Sequence, residues 1–190
     1  VAAVCGPAGA QKLPFAVTEL ADFEVPWALE FVPDGRLLVT EQKGSIKLYT
    51  PGSGAIATIE GALPAVAYGG QGGLSDIVLH PRFAANGLVY LSYAEPGPGE
   101  TRGAAVARGK LTLTPTGGSI AGLEVIWRQS PKVDGGGHYS HRIAFAPDGK
   151  LFIKEMITVG MKGTGTVDYS FTDPQTKKMA PKTSYVARIP

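Results

Sequence analysis

"WALEFVPDGRLLVT", residues 27–40, decides the fold. A short β-favouring run is broken by Pro33-Asp34-Gly35 and resumes as Leu37-Leu38-Val39-Thr40. Proline presets φ for the first turn position, and glycine tolerates the left-handed region that closes such turns. The stretch therefore reads as a β-hairpin. The same design returns in "LSDIVLHPRFAANGLVYLSY" (74–93) and "RIAFAPDGKLFI" (142–153), with the turn prolines Pro33, Pro81 and Pro147 spaced 48 and 66 residues apart. After the first hairpin come "SIKLY" and "AIATIE", parted by "TPGSG". After the second come "AAVARGKLTLT" and "LEVIWR", parted by "PTGGSIAG". Four short strands repeated at this period indicate propeller blades. The expected fold is all-β: a partial β-propeller with two nearly complete four-stranded blades, the opening of a third, and a short mixed α/β C-terminal segment. An ordinary propeller has at least four blades, so the reading expects an incomplete ring.

Composition supports this class. Charged residues make up 18% of the 190-residue chain, while glycine (26) and proline (15) are abundant, which favours many short strands over long helices. A net charge of +2 without a basic run carries no electrostatic footprint for nucleic acid. Cys5 is the single cysteine, excluding an internal disulfide framework and a multi-cysteine metal site. It lies in "VAAVCGPAGAQ", an apolar stretch followed by the A-x-A pattern Ala8-Gly9-Ala10. Residues 1–10 are read as a signal-peptide remnant, with a disordered terminus as the alternative, and the expected location is periplasmic or secreted. No apolar run reaches the 18 residues of a membrane span.

Two glycine-rich stretches stand immediately before first strands. "GGQGGLSDIVLHPRF" (69–83) surrounds Gln71 with glycines, and "DGGGHYSHRIAF" (134–145) does the same for His138. Glycines let backbone approach a flat ligand closely. An amide supplies both a donor and an acceptor, and an imidazole suits a general base at neutral pH. Equivalent loops of adjacent blades would aim Gln71 and His138 into one funnel. The alternative for the glycines is a tight inter-blade connection with Gln71 solvated. His80 before its turn proline, and Asp76 just inside its strand, are read as structural.

At these residues the sequence resembles the soluble aldose sugar dehydrogenases dependent on pyrroloquinoline quinone (PQQ), the glucose/sorbosone type, which are six-bladed propellers. The matching pieces are "VPWALEFVPDGRLLVTEQKGSIKLY", "GGQGGLSDIVLHPRFAANGLVYLSYAEPG" and "GGHYSHRIAFAPDGKLFI", in the family's order over residues 14–153. The resemblance implies oxidation of an aldose at its anomeric carbon to a lactone. His138 takes the hydroxyl proton, PQQ accepts the hydride, and Gln71 lines the cofactor and substrate site. Arg142 matches an arginine for which contact with the cofactor carboxylates and structural packing stay equally open. Calcium bound beside PQQ is a further family expectation, with its ligands outside this chain. Gly137 replaces an acidic residue that some members carry before the histidine, and Asp134, three residues earlier, need not substitute for it. His141 stands where the family commonly has a small residue and would crowd the pocket.

From Lys154 the character changes. "GTGTVDYSFTDPQTKKMAPKTSYVARI" resembles part of a Cache-type extracytoplasmic sensor domain, with Tyr169 and Tyr185 as candidate pocket or core aromatics. The expected division is residues 1–10 as the N-terminal remnant, 11–153 as partial propeller and 154–190 as Cache-like fragment. The expected function is PQQ-dependent aldose oxidation by a family form that is itself incomplete and inactive, with self-association through open blade edges. The alternative is a non-enzymatic extracytoplasmic small-molecule binding or sensor module; a fusion without evolved function is the third.

Overall fold

The computed structural model describes residues 16, 18–137, 139, 141–154 and 185–187. Three hairpins form where the sequence places them. The first comprises β1 (Pro26–Phe31) and β2 (Leu37–Glu41), continued by β3 (Ser45–Thr50) and β4 (Ala55–Glu60). These four run antiparallel in chain order, Leu29 facing Val39, Val39 facing Lys47 and Lys47 facing Thr58. The second unit comprises β5 (Leu74–Leu79), β6 (Leu88–Pro96), β7 (Thr101–Thr114) and β8 (Gly117–Arg128), again antiparallel neighbours in order. A two-residue strand, β9 (Val133–Asp134), adds to β7. The third unit opens with β10 (Arg142–Phe145) and β11 (Leu151–Lys154), and β12 (Tyr185–Ala187) pairs antiparallel with β11.

Two details depart from the sequence reading. The turn after Pro81 winds into one helical turn, α1 (Phe83–Asn86), closed by a bond from Gly87 N–H to Phe83 O of 2.7 Å. The stretch "PTGGSIAG" is mostly strand: β8 already begins at Gly117. There it pairs in parallel with β4, Ile59 against Gly118 and Glu60 against Ser119. A Cβ on Gly118 would lie 3.1 Å from Ile59 Cδ1 and 2.8 Å from Thr112 O, so the close approach of two blades requires this glycine.

The second unit is buried on both faces, as a middle blade must be. Along β6, Val89, Leu91 and Tyr93 point into a cluster shared with Leu38, Ile46 and Leu48 of the first unit. The alternate residue Tyr90 joins Val106 with Ile143, Leu151 and Ile153 of the third unit. A period of two with apolar residues on both sides is what strand geometry demands when sheets stack on either face. Each buried Leu or Ile contributes about 1.5–3 kcal/mol. Blade one, by contrast, leaves Trp27, Leu29 and Phe31 of β1 exposed.

Polar ties connect the first strands of successive units. Glu30 of β1 accepts a hydrogen bond from Leu79 N of β5 at 3.2 Å, and Asp76 of β5 accepts one from Ile143 N of β10 at 2.8 Å. Thr40 Oγ1 donates to Ser75 O at 2.5 Å. The arrangement is a partial β-propeller, as the repeats imply, with β1, β5 and β10 side by side as the first strands of three blades.

Candidate active site

The two glycine stretches come together. Gln71 N–H donates to Gly136 O at 3.4 Å, and a Cβ on Gly70 would fall 2.6 Å from that same oxygen. Gly70 also has φ +59°, so both its backbone angle and its neighbour exclude a side chain. Gly73, φ +118°, packs as closely on the other side: its Cβ would lie 2.2 Å from Gln42 O of the first unit. The glycine loop before β5 is thus wedged between blade one and the loop before β10. This is the inter-blade connection that the sequence leaves as an alternative. It coexists with an exposed Gln71 side chain at the junction.

His138, the candidate base, lies outside the described residues, as do Tyr169, Cys5 and most of the segment from 155. Its neighbours are defined. Tyr139 is buried, its hydroxyl donating to Gly135 O at 3.3 Å. Burial pushes the Tyr139 pKa up, and the positive charge of Arg102 opposes the shift. His141 is 2% exposed, its ring 5.2 Å from that of Tyr139. Neither ring nitrogen has a hydrogen-bond partner among the described residues. Burial pulls its pKa down to about 4, so the ring is neutral at pH 7. Its backbone holds φ +55°, a left-handed conformation that costs a residue with a Cβ about 1–2 kcal/mol. That angle favours glycine at the position. Ser92 Oγ donates to His141 O at 2.6 Å, fixing the segment to blade two.

Arg142 and Asp76 occupy an open cleft of about 700 Å³ where β1, β5 and β10 begin, walled by Phe23, Trp27, Leu29 and Val39. Asp76 Oδ2 accepts from Ile143 N at 2.8 Å and stands 3.9 Å from Arg142 Nε, while Oδ1 accepts from Ile77 N at 3.1 Å. Burial raises the Asp76 pKa, opposed by those N–H groups and by Arg142. Glu30 is raised too, first by burial, and the charge of Asp76 adds to the effect while Leu79 N–H and Arg142 oppose it. Arg142 stands beside Asp76 in the cleft, its positive charge opposing the effect of burial on that carboxylate and on Glu30, while its own side chain stays 73% exposed.

Sequence reasoning did not find Arg102 of β7. A Cβ on Gly69 would lie 3.9 Å from Arg102 Nη1, and Arg102 Nε is buried without a partner among the described residues. The only sequence signal is a basic residue after the turn "PGPGET", which alone points nowhere. Asp76 and His80, read as structural, do act so. Asp76 ties two blades, and His80 Nδ1 accepts from Arg82 N at 3.0 Å inside its turn. Among the described residues no cluster of three or more His, Cys, Asp or Glu is placed to hold a metal, and no helix is long and apolar enough to cross a membrane.

Residues 23–176 match the family described as Glucose / Sorbosone dehydrogenase. The chain belongs to the glucose/sorbosone dehydrogenase family. Among curated relatives, the aldose sugar dehydrogenase YliI of Escherichia coli is 38% identical over 129 residues, covering 67% of this chain and 34% of its own length. The uncharacterized protein slr1608 of Synechocystis is 28% identical over 183 residues, 92% of this chain and 42% of that protein. A glucose dehydrogenase crystal structure superposes with a TM-score of 0.67 at 40% identity, covering 73% of this chain and 40% of that one. The PQQ-bound aldose sugar dehydrogenase of Streptomyces coelicolor gives 0.60 at 27% identity, covering 70% and 38%. This chain spans about a third to two fifths of the length of the curated relatives it matches.

Proposed function

We propose that the chain supplies the N-terminal blades of an exported PQQ-dependent aldose dehydrogenase that converts an aldose to its lactone. The observation that carries the reading is the meeting of the two glycine loops through Gln71 N–H and Gly136 O, which joins blades two and three where the family motif falls. The residues present fit a flat, carboxylate-bearing quinone. Open space borders Gly135, and Gly69 faces only Arg102 Nη1 at 3.9 Å, while Arg102 Nε is a buried donor without a partner among the described residues. Arg142 offers a second, largely exposed guanidinium, and Gln71 an amide. When bound, PQQ supplies the hydride acceptor.

His138 holds the role of base, taking the proton of the anomeric hydroxyl as hydride leaves the same carbon. Gln71 orients a hydroxyl or a cofactor oxygen. Arg142 sets the charge of the cleft through Asp76 and Glu30. Calcium enters as a family expectation, with no cluster of candidate ligands among the described residues. Turnover is assigned to a closed ring, to which the exposed Trp27, Leu29 and Phe31 of β1 offer a packing face. The segment 154–190 is proposed as a Cache-like unit that overlaps the family match over residues 154–176 and returns a strand, β12, to the third blade. The small-residue N-terminal stretch supports export to the periplasm or outside the cell.

The test is a chimera in which residues 23–153 replace their counterpart in the E. coli aldose sugar dehydrogenase, assayed for quinone-dependent dye reduction with glucose. Dye reduction that falls by about 10²-fold or more in His138→Ala supports the reading. A chimera equally active with and without His138 sinks it.

A further inference from the structure

A second cleft, of about 550 Å³, opens at the opposite end of the blades, between the turn after β5 and the turn after β10. That volume suits a small ligand. Its wall is aromatic: His80 stacks on Tyr90 with ring centroids 6.3 Å apart, and both meet the Phe145 ring edge-on, at 5.4 and 5.1 Å. The imidazole is fixed in one tautomer. Nδ1 accepts from Arg82 N at 3.0 Å and lies 3.0 Å from Asn86 Nδ2, which places the ring proton on Nε2. Burial, then the charges of Arg82 and Arg108, keep the His80 pKa below its ordinary value, so this donor stays neutral at pH 7.

The charges around the cleft nearly cancel. Arg108 is paired with Glu124, and Asp148 with Lys150. Arg82 has no carboxylate within salt-bridge distance among the described residues. One uncompensated guanidinium beside a fixed N–H donor and an aromatic wall selects for one negative charge on a flat apolar body.

We propose that this cleft binds a monoanionic aromatic carboxylate, with the carboxylate on Arg82 and His80 Nε2–H and the ring against Phe145. The site is independent of the sugar reaction. It stands or falls without reference to PQQ.

The chain is titrated with benzoate while the His80 Cε1–H signal is followed by NMR, the resonance being assigned by its loss in His80→Gln. Acetate and benzyl alcohol serve as probes of the charge alone and the ring alone. The expected result is a saturable shift with benzoate that weakens about tenfold in Arg82→Gln and partly returns in Arg82→Lys, with both partial probes much weaker than benzoate. No saturable shift overturns the proposal. So does benzoate binding unchanged by Arg82→Gln, or acetate binding as tightly as benzoate.

Discussion

His141→Gly should remove a pH-dependent weakness from the fold. The imidazole is buried, without hydrogen-bond partners among the described residues, and its pKa is about 4 against an ordinary value of about 6.5. Between those values the unfolded chain binds a proton that the folded chain refuses, so stability is full above pH 6.5 and drains away as pH falls toward 4. At pH 4.5 the unfolded histidine is fully charged and the folded one about a quarter charged, a loss of about 2.5 kcal/mol. At pH 8 the substitution has opposing effects. Relief of φ +55° gains about 1–2 kcal/mol, and two unsatisfied nitrogens disappear. Against this stands the lost ring contact with Tyr139, about 2–3 kcal/mol. The variant should therefore match the parent within about 1 kcal/mol at pH 8 and exceed it by about 2.5 kcal/mol at pH 4.5. Urea unfolding of both proteins at both pH values gives the double difference. In that difference the shared carboxylates cancel, including Glu30 and Asp76, whose raised pKa values act in the opposite direction. Parallel pH profiles for the two proteins would refute the assignment.

Asp76→Ala should destabilise by about 2–4 kcal/mol, because it strands Ile143 N–H and Ile77 N–H, with the loss concentrated at the blade two to blade three junction in hydrogen exchange. An unchanged melting temperature would contradict that tie. Gly70→Ala should cost about 2 kcal/mol or more and free the Gln71 amide to exchange, since a Cβ there meets Gly136 O at 2.6 Å. Unaltered protection of that amide would show the loop contact to be dispensable.

The three hairpins were legible because their signals are local: alternation, then a proline-led turn, then alternation again. The start of β8 was not. Gly117 and Gly118 look like turn residues, and their true reason is the approach of Ile59 from another blade, which no local window contains. The ties from Glu30 to Leu79 and from Asp76 to Ile143 join residues 49 and 67 apart in sequence. In each a backbone N–H donates to a carboxylate, so the donor leaves no mark in the residue type. The site divides the same way. Gln71 stood out through the glycines around it, and the contact of its loop with Gly136 follows from the repeat. Arg102 reaches that loop from a neighbouring strand and carries no motif. His141 reads as oversized for its place, and the structure adds that its ring is buried and its backbone left-handed, a conformation that favours glycine.

Titration of the purified chain with PQQ, in the presence of calcium and followed by quenching of tryptophan fluorescence, tests the central claim most directly. Saturable binding that weakens about tenfold in Arg102→Gln and is lost in Gly70→Ala is the result expected if the meeting of the two glycine loops forms the cofactor wall. Binding indifferent to both substitutions, or no binding even when the remaining blades are supplied by a relative, would contradict it.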